Sequence, residues 1–520
     1  MEKFTPLETL DLPVERRAVA TDVFLYDFGL DAYGRLDLAY AVGEDTTLEV
    51  AFGEVLEADG RLNRNPGGSR IAFVVPVSLK KGEGICAVPI PGWRNPYGEF
   101  SGTPIVDPPI TVFRYVEITG RAERAEPRRK SLRAPFNDAA ASFECSDETL
   151  TRVWNFCKYA IKATTPFGVY VDGNRERLPY EGDTYINQLG HFALDADYAI
   201  AKRTIEHLMG PATWPTEWAL IMVPVVYDYY LHSGDLDSLR RWYEPLKGKL
   251  LPQYVSAETG LLSTAGSETT HDIVDWPAGE RDDYEFGDVN LVPNCYLVRA
   301  LRTMALIDTE LGFDADAQDH IHQAEVLKRS IRANLMPGGM FADSIGSTHL
   351  SLHSAVFALW AEVAEPAEIG FLKERIVEKG MACSVYVAQF LLEVCFQYGM
   401  EDHAIKLMTS DSERSWVNMM RQGATITMEA WDDRFKPNQD WNHAWGAAPA
   451  NVVARGIFGI RPTKPGFADY AVNPRLGGLE YARYRYPTPR GTLLVEVDRH
   501  GVRSRLCAGC GSRARSCPSG

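Results

Sequence analysis

Between Asp172 and Asp183 the chain reads Asp-Gly-Asn-Arg-Glu-Arg-Leu-Pro-Tyr-Glu-Gly-Asp, with four carboxylates, two arginines and a tyrosine in twelve residues. Pro179 and two glycines keep this stretch from forming a regular amphipathic helix. It is expected to be a loop that brings charged side chains to one place and enters a helix after Gly182-Asp183. Carboxylates close to guanidinium groups and a ring are what acid–base chemistry on a sugar needs. A solvated loop laced with arginine–carboxylate pairs would have the same composition.

A second group lies at Gly423-Ala424-Thr425-Ile426-Thr427-Met428-Glu429-Ala430-Trp431-Asp432, where a loop or strand-like segment would project Glu429 beside Trp431. A turn at Pro437-Asn438-Gln439-Asp440 follows, and then Trp441-Asn442-His443-Ala444-Trp445-Gly446 sets a histidine and two indoles at a helix start. Taken singly, Glu429 reads as a cap or surface acid and His443 as a satisfied core histidine. Trp214-Pro215-Thr216-Glu217-Trp218 precedes a helix, and a Pro/Gly loop from Val274 to Arg281 displays Trp276. Rigid loops bearing tryptophan make sugar platforms, although a single indole more often packs. Other motifs fail. His349 and His353 have the spacing of a zinc pair, but Leu350 occupies the glutamate position. The run from Asp314 lacks the glycine and final glutamate of a calcium loop. With no dinucleotide or nucleotide-phosphate motif either, neither metal nor cofactor is expected.

The elements that must carry these residues follow from pattern. At 520 residues two or three domains are expected, and a net charge of -16 without a basic patch argues against nucleic acid. The N-terminus opens no apolar leader, and no run of about eighteen apolar residues occurs, so a cytoplasmic protein off the membrane is expected. Six scattered cysteines, Cys86, Cys145, Cys157, Cys295, Cys383 and Cys395, read as reduced buried thiols. Residues 20–120 alternate apolar and polar residues in short runs between Gly/Asn/Asp clusters, the pattern of an antiparallel sandwich. Arg121 to Arg133 reads as a charged linker. From Ser146-Asp147-Glu148, a good N-cap, helical spacing continues to about residue 460 in roughly a dozen segments. A bundle, a solenoid or an α/α toroid would suit, and the lack of a fixed repeat weakens the solenoid. Strand patterns return after Pro465 and stop near Val497. Residues 503–520 are mostly Arg, Ser, Gly and Cys with almost nothing to bury and are expected to be irregular, and Cys507-Ala508-Gly509-Cys510, a lone CxxC with Cys517 badly placed to complete it, is a weak zinc signal.

Several ordered motifs together resemble family 78 of the glycoside hydrolases, the α-L-rhamnosidases. The family's Arg-acid-Arg-x-x-aromatic-x-Gly-Asp segment corresponds to Arg175 through Asp183, after Asp172. Gly423-Ala424-Thr425 through Glu429-Ala430-Trp431 and then Asn442-His443 keep the family's order. Ile460-Arg461-Pro462 with Pro465-Gly466-Phe467 resembles its hand-over to a C-terminal sandwich, and Phe24 to Gly29, Gly53 to Leu56 and Phe113 to Glu117 its N-terminal β domain. The resemblance covers the chain to about residue 502.

The resemblance implies an N-terminal β-sandwich over 1–135, an (α/α)6 barrel over 136–463, a partial C-terminal sandwich over 464–502 and the tail 503–520. It implies an inverting hydrolase of rhamnosides with Glu176 as general acid and Glu429 as general base. Asp172 and Asp183 match carboxylates that hold sugar hydroxyls, and Trp218, Trp276 and His443 match sugar-lining residues. Tyr180 stands where the family often has tryptophan, and Arg177 is counted with the substrate-binding set. The expected partner is a rhamnose-containing glycoside or oligosaccharide, and a homo-oligomer is compatible with the sequence. Two other readings stay open: an unsaturated uronyl hydrolase on the same toroid, with Arg175 and Arg177 as its cationic subsite, and a sugar-binding protein without turnover.

Overall fold

The protein is described here by a computed structural model covering residues 4–96, 106–210 and 212–508. Its N-terminal part is an eight-stranded antiparallel sheet organised around one long strand, Val23–Val42. The sequence pattern predicts two strands here. They run into one because a register irregularity between Asp27 and Ala32 lets the first half pair with Glu15–Ala20 and the second with Gly82–Val88. Thr111–Thr119 pairs along both halves.

The linker expected at Arg121 to Arg133 is instead the strand Arg124–Arg133, which lies between Leu7–Asp11 and Val23–Val42. Its charges misled the reading because one of them is inside. Arg129 is buried and donates to the carbonyls of Leu30 (2.7 Å) and Phe113 (2.8 Å), with Asp11 3.0 Å away. A buried guanidinium so supplied with acceptors can occupy a strand's inner face.

Among the described residues thirteen α-helices follow. Asp147 caps the first, Glu148–Ala163, by accepting from the Leu150 amide at 2.9 Å, and Leu150, Val153, Trp154, Cys157 and Ile161 are buried on one face. Two kinds of helix then alternate along the chain. Glu181–Leu194 and Leu352–Trp360 are buried at every position, and Thr216–Ser233, Leu291–Leu311 and Val387–Gln397 at most. Ala199–Leu208, Leu236–Lys249, Asp314–Asn334, Pro366–Lys379 and Glu401–Thr409 bury one face only. A helix apolar all round must be covered on every side, and a one-sided helix is what covers it. Each helix of the buried set touches the next, and the short helix Pro449–Val452 touches both Val387–Gln397 and Glu181–Leu194. The single helix expected over Ala444–Ile457 is broken into a 3-10 turn, this short helix and a π turn around Pro449.

A four-stranded antiparallel sheet closes the described chain in the order Gly501–Ala508, Gly491–Asp498, Tyr481–Thr488, Ser142–Cys145. The expectation of an irregular tail from 503 fails for residues 503–508, which pair with residues 491–496. This is an edge strand held by main-chain bonds, so its exposed Arg503, Ser504 and Arg505 need no apolar alternation. Leu506 packs on the core. Cys510 and Cys517 lie outside the described residues. Among the described residues no helix is long and apolar enough to cross a membrane.

Candidate active site

The loop that delivers Glu176 is closed by Asp172. The Asp172 amide donates to the Leu178 carbonyl, and the Leu178 amide donates to Asp172 Oδ1, both at 2.9 Å. Two glycines allow close approaches here. A Cβ on Gly173 would stand 2.1 Å from Asp440 Oδ2, and one on Gly182 would stand 2.6 Å from the Trp218 indole. Gly182 opens the buried helix Glu181–Leu194, so Trp218 lies directly on that helix's first turn. Gly182→Ala is expected to lower stability by about 1–3 kcal/mol, the usual size of overpacking, and to shift tryptophan fluorescence. A wild-type denaturation midpoint and spectrum would show that the indole does not need the contact.

The second acid comes from a loop folded back on itself. The Glu429 amide donates to the Asp440 carbonyl (2.9 Å), the Asp440 amide to Glu429 Oε2 (3.0 Å), and the His443 amide to the Thr427 carbonyl (2.8 Å). Trp445 Nε1 donates to the Glu429 carbonyl at 3.0 Å. The N-terminal sheet braces this loop. Tyr33 Oη and the Asn174 amide both donate to Asn442 Oδ1 at 2.8 Å, and Asn442 Nδ2 donates to Glu54 Oε1 at 3.1 Å. Thr425 Oγ1 donates to Asp31 Oδ2 at 2.8 Å, and Arg70 pairs with Asp433 at 2.7 Å. One asparagine thus ties both acid-bearing loops to the sheet.

The loops and helix starts enclose a cavity of about 350 Å³. Asp172, Glu176, Tyr180, Asp183, Trp218, Trp276, Glu429 and His443, all expected from sequence, line it. Arg175 joins the two acids. Its Nη2 donates to Glu176 Oε1 (2.8 Å) and Glu429 Oε1 (3.0 Å), and its Nη1 to Glu429 Oε2 (3.2 Å). Sharing one nitrogen holds those two oxygens within about 6 Å, tighter than the ~6.5–9.5 Å of an inverting pair. Tyr180 Oη donates to Glu176 Oε2 at 2.7 Å, and Lys436 Nζ stands 3.4 Å from Glu429 Oε1. Trp214, Trp218, Trp276 and Trp445 form an aromatic wall with ring centroids 6.4 Å apart in neighbouring pairs. Glu217 holds the Trp276 loop by accepting from the amides of Ile273 (3.1 Å) and Val274 (2.8 Å). His353 Nε2 lies 2.8 Å from Asp275 Oδ2 in the same region.

Arg177 is not brought to the cavity. With φ of 51° it turns back, donates to Asn174 Oδ1 (2.7 Å) and the Ile110 carbonyl (3.0 Å), and stacks on Trp93. Sequence reasoning missed Trp445, Lys436, Asn438 and Ile273 as lining residues, together with the bracing by Tyr33 and Glu54. The Lys436-Pro437-Asn438 turn was the available signal for two of them, since it hangs between the two acid-bearing motifs.

Burial governs the electrostatics. It pushes Asp172 and Asp183 well above the usual carboxylate range, helped by Glu176 on both and by Glu429 on Asp183. His443 is driven well below its ordinary value by burial and then by Arg175 and Lys436, so its ring is neutral at pH 7. Asp183 Oδ1 stands 3.4 Å from His443 Nε2, and neither it nor His443 Nδ1 has a hydrogen-bond partner among the described residues. Buried polar atoms are normally satisfied, so these are the atoms a ligand's hydroxyls would satisfy.

Asp440 is pushed up to about 7, first by burial and then by Glu429. Its native carboxyl therefore holds its proton more tightly than the unfolded one. The stability this contributes is present at low pH and is lost as pH rises through about 7. The thermal midpoint is expected to fall between pH 5.5 and 8, and Asp440→Asn to flatten that slope. An unchanged slope in the variant would remove Asp440 as its source.

Buried and one-sided helices in alternation, with two loop-borne glutamates facing one cavity, make this a helical domain with one candidate active site. Residues 138–457 match the family model described as the bacterial alpha-L-rhamnosidase 6 hairpin glycosidase domain. That match takes in more than half of the chain, and the chain belongs to this family. It is 20% identical over 537 residues to the alpha-L-rhamnosidase of Alteromonas sp. (strain LOR), across 95% of this chain and 55% of that protein. The solved GH78 family rhamnosidase of Bacillus sp. GL1 superposes with a TM-score of 0.74 at 19% identity, over 95% of this chain and 53% of that one. The Streptomyces avermitilis α-L-rhamnosidase complexed with L-rhamnose does so at 0.73 and 17%, over 94% and 48%. At these identities the structures establish a shared fold. The chain spans about half the length of each of these three proteins.

Proposed function

We propose that the chain is an α-L-rhamnosidase that releases terminal rhamnose with inversion, Glu176 acting as general acid and Glu429 as general base. The observation that carries this reading is the convergence of the two glutamates, far apart in sequence, on one guanidinium inside an aromatic-walled cavity. Asp172, Asp183 and His443 are assigned to the sugar hydroxyls, since the last two offer buried unpaired polar atoms. Trp218, Trp276 and Tyr180 are assigned to its apolar face. The catalytic unit is taken as residues 136–463 closing as an (α/α)6 barrel between sandwiches at 1–135 and from 464. The alternation of helices, the contacts between successive buried helices and the six-hairpin family model support that closure.

An acid that protonates the glycosidic oxygen needs that oxygen, and not a guanidinium, on its reactive face. The reading therefore requires Arg175 to release Glu176 when sugar fills the cavity. The same release opens the pair toward the separation that leaves room for water. A uronate reading would need a cation for the sugar carboxylate. Arg175 and Lys436 are both held by Glu429, with which a uronate would have to compete.

The test is a panel of aryl α-L-rhamnosides and unsaturated uronides offered to the purified chain. Rhamnoside cleavage alone is expected. Uronide cleavage without rhamnoside cleavage would replace the substrate, and rhamnose binding without turnover would replace the enzyme by a binding protein.

A further inference from the structure

Two of the buried helices, Glu181–Leu194 and Thr216–Ser233, bring Asp183 and Trp218 to the catalytic cavity. Trp218, in the first turns of Thr216–Ser233, lines that cavity, whereas Asp228 on the same helix lines another. Another cavity, of about 380 Å³, is bordered by four arginines, Arg299, Arg455, Arg461 and Arg475, and two glutamates, Glu362 and Glu393. A smaller one of about 260 Å³ shares Arg299, Arg455 and Arg461. Nothing in the proposed chemistry uses either.

Among the described residues the two glutamates pair with only one of the four arginines, Arg455. Glu393 Oε1 accepts from Arg455 (2.7 Å) and Gln389 (2.9 Å), and its Oε2 accepts from Trp360 Nε1 (3.1 Å). Glu362 faces Arg302 at 3.7 Å. Asp228 is the remaining acid, set against Arg455 and Arg299, and burial raises it to about 6, which leaves it ionised at neutral pH. Among the described residues Arg299, Arg461 and Arg475 make no ion pair. Arg475 Nη1 is spent on the Phe396 and Gln397 carbonyls. Arg299 Nε is buried with no hydrogen-bond partner, and its guanidinium lies 5.3 Å from the Trp360 ring centre. Burial, then the Arg455 and Arg475 charges, pull the Arg461 guanidinium below its ordinary value. Crowded cations of this kind are unusual in a chain of net charge -16. A guanidinium presents its donors in a fork that planar and tetrahedral oxyanions bind.

We propose that this cavity is an anion-binding site, in which Arg299, Arg461 and Arg475 hold the phosphate or carboxylate group of a sugar-sized molecule. It is separate from the catalytic cavity and does not depend on the rhamnosidase reading.

Calorimetric titration of the full chain in chloride-free buffer, with inorganic phosphate and separately with glucuronate, tests it. One saturable site in the low millimolar range or tighter is expected for at least one probe. Saturation by phosphate assigns a phosphate ester, and saturation by glucuronate alone assigns an acidic sugar. Arg461→Glu, which removes no hydrogen bond or ion pair among the described residues, should weaken binding at least about tenfold, or about 1.4 kcal/mol. Arg121→Glu, the same charge change in the exposed turn between Thr111–Thr119 and Arg124–Arg133, should leave affinity unchanged, and both variants should keep wild-type turnover. Absence of saturable heat with either probe up to about 20 mM, or equal weakening by the two substitutions, would overturn the site.

Discussion

Glu176→Gln should cut turnover of rhamnosides with poor leaving groups by at least about a hundredfold, about 2.7 kcal/mol of transition-state stabilisation. The change is isosteric, the amide oxygen can keep the Arg175 bonds and the amide nitrogen can donate to Tyr180 Oη, so far-UV circular dichroism should match wild type. The diagnostic is the aglycone. A dinitrophenyl leaving group departs without a proton, so its loss should be under about tenfold. A uniform loss across leaving groups, or near-wild-type turnover on all of them, would take Glu176 out of the acid role.

Glu429→Gln should lower turnover by a similar factor of at least about a hundred, but equally for good and poor leaving groups, because the missing step is deprotonation of water. Azide, which attacks without giving up a proton, should restore part of the rate and form a rhamnosyl azide of inverted configuration. Glu429 is gripped by Arg175, Lys436 and the Asp440 amide, so the substitution also loosens the bridge between the acids. A Glu429→Gln variant with a strong leaving-group dependence would mean that the two glutamates have exchanged roles.

The parts of this arrangement legible in the sequence are those set by local rules. Pro179 and the glycines mark the Glu176 loop, Pro277 marks the Trp276 loop, and the Asp147 cap with its apolar spacing marks the first helix. What stayed hidden depends on partners far along the chain. Arg129 is a charge buried among carbonyls, which no charge pattern announces. The edge strand Gly501–Ala508 takes its place from main-chain bonds to Gly491–Asp498 and not from its own side chains. Arg177 sits in the same motif as Glu176, but its left-handed backbone turns it toward Trp93 and away from the cavity. Tyr33 and Glu54 reach Asn442 only because the sheet docks on the helices. Both acids were readable as residues, and the single guanidinium that joins them was not.

Proton NMR of the first product formed from an aryl α-L-rhamnoside, read before mutarotation, tests the central claim most directly. Water activated by Glu429 on the face opposite the leaving group that Glu176 protonates gives β-L-rhamnose first, with the α anomer growing in later. The α anomer appearing first would contradict this assignment of the two glutamates.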